Sequence, residues 1–246
     1  MTVSETSLRI ERHVDRVVAT LDRPSSRNAI DQALIDALHE LCADLEADPR
    51  VLIVTGAGGV FASGADIAQL RERRADDARR GINTHAFARM RALPMPVIAA
   101  IDGYALGGGA ELAYAADLRI GTPRLRIGNP ETGLGIIAAA GATWRLPQIV
   151  GEARAAELLL TGRILDGDEA CAWGLVSSLH APDELMPAAH ALADRIVAND
   201  ARATRHTKTA LAAADHPGLE LELQAELFES PEKERRMTAF LERRNR

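Results

Sequence analysis

Short apolar runs of strand length alternate with stretches of helical period along most of this chain, and toward its end only the helical period persists. Residues 14–21 predict a strand, apolar at Val17, Val18 and Leu21, and residues 24–28 a turn. Leu34, Ile35, Leu38, Leu41 and Leu45 recur at helical spacing and predict an amphipathic helix over 31–48, with Asp31 placed to cap it and Pro49 after its end. Residues 51–55, apolar up to Thr55, and the wholly apolar 97–101 predict short buried strands. Further helices are predicted over 82–92, 107–116, 151–161 and 167–173, and strands over 117–120 and 175–179. From about 184 onward the pattern is helical: 184–198, 201–213 and 217–243, broken near Pro231. Strands alternating with helices, then helices alone, predict an α/β core over 1–190 and a helical C-terminal region over 191–246.

Composition narrows the function more than the fold. With 246 residues, 47% of them hydrophobic, the chain can bury a core as one large domain or as one domain with a helical appendix. A net charge of -6 and an aromatic content of 3% leave neither a basic surface nor stacking platforms, which argues against nucleic-acid binding. Lys208 and Lys233 are the only lysines in an otherwise arginine-based set of cations. Cys42 and Cys171 stand alone, outside any metal-ligand spacing, as expected in a reducing cytoplasm without a disulfide framework or zinc site. The N-terminal residues show no charged-then-apolar targeting pattern, and no apolar run approaches the roughly 20 residues of a membrane span.

Three segments are candidates for chemistry. Phe61-Ala62-Ser63-Gly64-Ala65-Asp66-Ile67 follows a strand and can turn backbone N–H groups toward a ligand, although on this segment alone an ordinary β–α loop is the better reading. In Tyr104-Ala105-Leu106-Gly107-Gly108-Gly109-Ala110-Glu111-Leu112, three glycines open a helix whose amides lie at the positive end of its dipole. No Gly-Lys-Ser/Thr follows and the dinucleotide fingerprint is absent; Glu111 alone reads as a glutamate favouring a helix start. Ile127-Gly128-Asn129-Pro130-Glu131 sets Glu131 after a proline in an apolar, glycine-rich stretch, a pattern shared with surface turns.

Taken together and in this order, the three segments resemble the enoyl-CoA hydratase/isomerase (crotonase) superfamily, from the Arg27-Asn28-Ala29 turn to Ala239-Phe240-Leu241-Glu242-Arg243. The resemblance implies the crotonase fold, a spiral of β-β-α units followed by a helical trimerisation region, and a homotrimer or a hexamer built as a dimer of trimers. It implies an acyl-CoA thioester substrate, coenzyme A arriving as part of that substrate, and neither a permanently bound cofactor nor a metal. The backbone amides of Ala65 and Gly108 become the oxyanion hole, Glu111 the base that activates water and Glu131 the acid that protonates Cα. Arg27, Ala29, Ala62, Ser63, Gly64, Asp66, Ile67, Gly107 and Pro130 become the wall for CoA and substrate. Phe240 and Arg243 become contacts to the nucleotide end, often on a neighbouring subunit. The implied reaction is reversible syn addition of water to a trans-2-enoyl-CoA, giving the 3-hydroxyacyl-CoA. An enoyl-CoA isomerase, another crotonase-type lyase or a catalytically idle acyl-CoA-binding paralogue are the alternatives.

The chain departs from the family after Glu131. Ala138 stands where proline is expected, Ala139 and Ala142 where glycines are expected, and Trp144 where glutamine is common. Alanine cannot adopt every backbone angle open to glycine, so this turn bears on how the catalytic water is held or on the shape of the acyl site. The charged segment 71–80 falls where the family varies most and reads as a lid or a solvated helix. The seven histidines are scattered, with no hydrolytic triad in view, and Trp144 and Trp173 read as core or subunit-contact residues.

Overall fold

In a computed structural model, residues 7–213 and 216–244 are described. Residues 1–6, part of the stretch read above for a targeting signal, lie outside them. The elements run β1 (Leu8–Arg12), β2 (Arg16–Leu21), α1 (Gln32–Ala47), β3 (Val51–Gly56), α2 (Ile67–Glu72), α3 (Ala75–Arg79), α4 (Ile82–Arg91), β4 (Val97–Ile101), β5 (Tyr104–Leu106), α5 (Gly108–Ala115), β6 (Leu118–Gly121), β7 (Arg126–Gly128), α6 (Ala142–Val150), α7 (Glu152–Thr161), β8 (Ile164–Asp166), α8 (Gly167–Ala172), α9 (Leu185–Val197), α10 (Ala201–Ala213), α11 (Pro217–Phe228) and α12 (Pro231–Arg244).

Five strands form one sheet in the order β1-β2-β3-β4-β6, with β1 antiparallel to β2 and the other pairs parallel. The sheet is buried on both faces, so its inner strands read as continuous apolar runs. Alternate residues still part company. Val17, Leu52, Val54, Ala99 and Ile101 join the cluster that holds α1, α4 and α5, while Val18, Val51, Ile53, Ile98 and Ala100 join one that α9 closes with Leu185, Ala189 and Ala193. The expected division at residue 190 falls inside α9, a helix packed on the sheet; α10, α11 and α12, like α2 and α3, carry no buried residue. A second, three-stranded sheet, β5-β7-β8, stands beside α5.

Two local devices prepare the site. Asp31 caps α1, its carboxylate accepting from Leu34 N at 2.9 Å. In the turn before α1, Arg27 and Asn28 adopt left-handed backbone (φ 50° and 55°), a conformation asparagine tolerates. The buried Asn28 side chain accepts from Arg23 N and donates to the carbonyls of Ala57 and Val60.

The expected strand over 175–179 does not form. After Gly174 (φ 75°) the chain curls back, so that Leu175 N and Val176 N donate to Ala170 O at the end of α8. Beyond Val176 the chain runs along β6, with Ser177 N donating to Arg119 O and Gly121 N to Ser178 O, but the pairing amounts to one isolated bridge, Leu179 to Gly121. Ser178 Oγ and His180 Nε2 meet at 2.8 Å in this turn, outside the cavity described below. Trp144 is exposed under the Arg91 guanidinium rather than buried in the core, and Trp173 lies between Arg154 and Arg163.

Candidate active site

All eight residues of α5 are buried, an arrangement open to a helix built largely from glycine and alanine. Ala62 bridges to Ala105 of β5, and Leu106 N donates to Ala62 O at 3.0 Å, which fastens the 61–67 loop to the start of α5. Gly109 lets the two approach: a Cβ there would lie 2.3 Å from Ala62 O. Gly107, with φ 52° and ψ -123°, makes the turn into the helix. The outcome is two backbone amides side by side. Among the described residues neither Ala65 N nor Gly108 N has an acceptor, and an atom at the Cβ position of Gly108 would sit 3.6 Å from Ala65 N. Gly108 N also belongs to the first turn of α5, where N–H groups have no intrahelical partner.

Glu111 occupies that first turn and is 4% exposed. Its Oε1 accepts from Ala140 N at 2.6 Å and Ala142 N at 3.1 Å. These donors belong to the turn that departs from the family. Its alanines all keep ordinary negative φ, and the retained Gly141 takes the one positive angle, φ 128°. None of the substituted positions takes a positive φ, and the turn grips Glu111. Burial pushes the Glu111 carboxyl up to about 7 against the two amides, which favour the anion, and the nearby Glu131 charge adds to the rise.

Glu131 enters from the short 3-10 turn Pro130–Leu134 after β7. Its Oε1 accepts from Asn129 Nδ2 at 3.4 Å, while Oε2 is buried without a hydrogen-bond partner among the described residues. Burial raises its pKa, with a backbone hydrogen bond and Asn129 opposing. An orphaned buried oxygen is costly on a carboxylate and far less so on a neutral carboxyl group. Asn129 is itself held, donating to Gly107 O at 3.3 Å and accepting from the fully buried Tyr114 hydroxyl at 3.0 Å. Neither Asn129 nor Tyr114 stands out in the sequence as a functional residue; the only signal is an asparagine two positions before an apolar-flanked glutamate.

Both glutamates and both amides line one cavity of about 570 Å³, together with Ser63, Gly64, Ile67, Gly107 and Pro130. A second void of about 10 Å³, room for roughly one water, lies behind Glu111 against Phe87, Arg91, Trp144 and Arg145. Ala62 is buried behind the cavity wall, and Asp66 caps α2 through Ala68 N and Gln69 N. Arg27 and Ala29 sit on the adjoining turn, where Arg27 O accepts from Ser63 N. Phe240 and Arg243 lie on the exposed surface of α12 and do not line the cavity of this chain. Among the described residues no cluster of three or more His, Cys, Asp or Glu could hold a metal ion.

Two unpaired amides beside two carboxyls of unlike hydrogen bonding form a site that can stabilise an oxyanion while moving protons on either side of it. Comparison with known proteins leads to the same chemistry. Residues 14–246 match the family model described as enoyl-CoA hydratase/isomerase. The chain is 36% identical to the short-chain-enoyl-CoA hydratase of Clostridium acetobutylicum, over 96% of this chain and 94% of that one. It is 35% identical to the crotonyl-CoA hydratase of Syntrophomonas wolfei, over 96% and 95%. The crystal structure of an enoyl-CoA hydratase from Bacillus anthracis superposes with a TM-score of 0.89 at 31% identity, covering 96% of each chain. With its fold, its paired glutamates and this match along nearly its whole length, the chain belongs to the enoyl-CoA hydratase/isomerase family.

Proposed function

We propose that this protein is an enoyl-CoA hydratase, adding water across the double bond of a trans-2-enoyl-CoA to give a 3-hydroxyacyl-CoA. The observation that carries this reading is the contrast between the two buried carboxyls. Glu111 has two amides on one oxygen and suits the anion; Glu131 has an orphaned oxygen and suits the acid. The thioester oxygen takes the amides of Ala65 and Gly108. Glu111 removes a proton from water as its oxygen bonds to Cβ, and the π electrons move to the thioester oxygen as an enolate. The enolate collapses as Glu131 gives its proton to Cα. One proton has then passed to Glu111 and one has left Glu131, and exchange between the pair or with solvent resets the site. Oxyanion donors of this kind are worth about 3–4 kcal/mol each.

Coenzyme A enters as part of the substrate, against Arg27, Ala29 and the 62–67 segment, and no permanent cofactor is required. The core over 1–190 holds the site, and the helical region over 191–246 is the proposed trimerisation element, with trimers pairing into hexamers in a cytoplasmic setting. Leu211, Leu221, Phe228, Met237, Phe240 and Leu241 are exposed on α10–α12 and support this assignment. Phe240 and Arg243 would then serve a neighbour's nucleotide.

The pair titrates as a unit. We predict a bell-shaped kcat/KM profile. With Glu111 as base, its burial-raised pKa of about 7 sets the lower limb, below which no base remains; ionisation of Glu131, also raised by burial, sets the upper limb, beyond which no acid remains. A profile flat from pH 5 to 9 would contradict the assignment. Asn129→Leu should lower kcat by about tenfold to a hundredfold, through a misplaced Glu131, and destabilise the fold by about 1–3 kcal/mol, through the stranded Tyr114 hydroxyl. Steady-state kinetics and thermal unfolding of the variant read the two effects. The turnover test is loss of enone absorbance with crotonyl-CoA and a series of other trans-2-enoyl-CoA esters; binding without turnover of any of them would remove the hydratase reading.

A further inference from the structure

The wall of the cavity formed by α2–α4 carries charge that the hydration chemistry does not use. Five arginines fall within residues 71–80. Arg71, Arg79 and Arg80 each pair with a neighbouring acid, Glu72, Asp76 and Asp77. Arg73 and Arg74 are the two that line the cavity, and among the described residues they are the two without a carboxylate partner. Arg74 reaches only the carbonyls of Arg71 and Arg73, at 3.4 Å, and the Arg73 guanidinium makes no hydrogen bond among the described residues. Asp77 also lines the cavity, but its carboxylate is committed to Arg74 N at 3.0 Å and to Arg80 at 3.5 Å.

Polarity continues along α4. Asn83 lines the cavity, and its side chain makes no hydrogen bond among the described residues. An atom at the Cβ position of Gly108 would lie 3.5 Å from Asn83 Nδ2, so the amide borders the oxyanion donors. Thr84 spends its hydroxyl on Ala139 O at 2.9 Å, tying α4 to the turn that holds Glu111. Other parts of the wall are apolar: Leu134, Ile136 and Ile137 line the same cavity and are exposed. An all-methylene acyl chain would leave the half-buried Arg73 guanidinium and Asn83 amide facing hydrocarbon, which is unfavourable, while Arg74 stands exposed at the rim.

We propose that the acyl group this enzyme takes ends in a carboxylate, that Arg73 and Arg74 bind that carboxylate, and that Asn83 donates along the polar side of the chain. The proposal rests on the hydratase reading and deepens it from enoyl-CoA to enoyl-CoA of a dicarboxylic acid. Guanidinium–carboxylate pairing supplies charge-assisted hydrogen bonds in a fork geometry. The other charges in the cavity are Asp77, held by Arg74 N and Arg80, and Glu111 and Glu131 at the reacting carbons, so an anionic end is favoured at the arginine end.

The test compares kcat/KM for glutaconyl-CoA, its longer homologues, and their methyl-ended counterparts beginning with 2-pentenoyl-CoA. At some chain length the carboxylate-ended substrate should be preferred by about tenfold to a hundredfold. In Arg73→Ala/Arg74→Ala that ratio should collapse toward one, and Asn83→Leu should reduce it. Preference for methyl ends at every length would overturn the proposal. So would a double variant that loses the same factor with both series, since the arginines would then be gripping phosphates of coenzyme A. Titration with the saturated pair glutaryl-CoA and valeryl-CoA reads the charge preference without turnover. Arginine-dependent preference for glutaryl-CoA with no hydration of any enoyl-CoA would support the carboxylate site while removing the hydratase reading; equal binding of the two would remove the site.

Discussion

Glu111→Gln is expected to lower kcat for enoyl-CoA hydration by about a thousandfold, with acyl-CoA binding largely kept, because glutamine retains the oxygen that Ala140 N and Ala142 N hold but cannot take a proton from water. The same variant should be more stable than the parent at alkaline pH. Glu111 has a folded-state pKa of about 7 against an ordinary 4.5, so between these values the native chain keeps a proton that the unfolded chain has released. That contribution is complete below about pH 4.5 and is lost as the pH rises through 7. A shift of this size is worth about 3 kcal/mol. Glu111→Gln cannot ionise and escapes the loss, so its melting temperature should exceed the parent's by several degrees at pH 8 and match it near pH 4. Near-parental turnover in Glu111→Gln would remove this residue from the chemistry. A lower melting temperature at pH 8 would show that the carboxylate is not buried as the fold places it.

The second large effect is expected from a methyl group. In Gly109→Ala the new Cβ would meet Ala62 O at 2.3 Å and Ala62 Cβ at 2.8 Å, contacts with main chain or its attached carbon that no side-chain rotation relieves. Either α5 or the 61–67 loop must move, and with it the spacing of Gly108 N and Ala65 N. Loss of one oxyanion donor costs about 10²–10³ in kcat, and forced overpacking costs about 1–3 kcal/mol of stability. Steady-state kinetics and thermal unfolding read the two effects together. A Gly109→Ala enzyme with parental kcat would mean that the close approach of these segments is not what sets the oxyanion site.

How much of this was legible beforehand follows from physical scale. The helices α1 and α9 and the strands β2, β3 and β4 declare themselves because each buries a periodic or continuous apolar face. The three-residue strands β5, β7 and β8 are too short to show a period, and Pro147 inside α6 hides a helix behind a helix breaker. Residues 175–179 read as a strand on Leu175, Val176 and Leu179, but only the first two are buried, and they lie in the turn after α8. Within the site, Glu111 and Glu131 are visible as acids in apolar, glycine-rich surroundings. The Asn129–Tyr114 support is a contact between side chains 15 positions apart, and no local pattern encodes it. The alanine turn after Glu131 reads as a threat to the site because composition does not report which residue needs positive φ; Gly141 does, and it is retained.

The most direct test of the central claim, that Glu111 delivers water to Cβ while Glu131 protonates Cα, is mass analysis of the product formed from crotonyl-CoA in deuterium oxide enriched in oxygen-18. Each 3-hydroxybutyryl-CoA should carry one oxygen-18 at C3 and one deuterium at C2, with both labels lost together in Glu111→Gln. Deuterium at C2 without oxygen-18, in a product that keeps its double bond, would show that the pair moves protons without adding water and would contradict it.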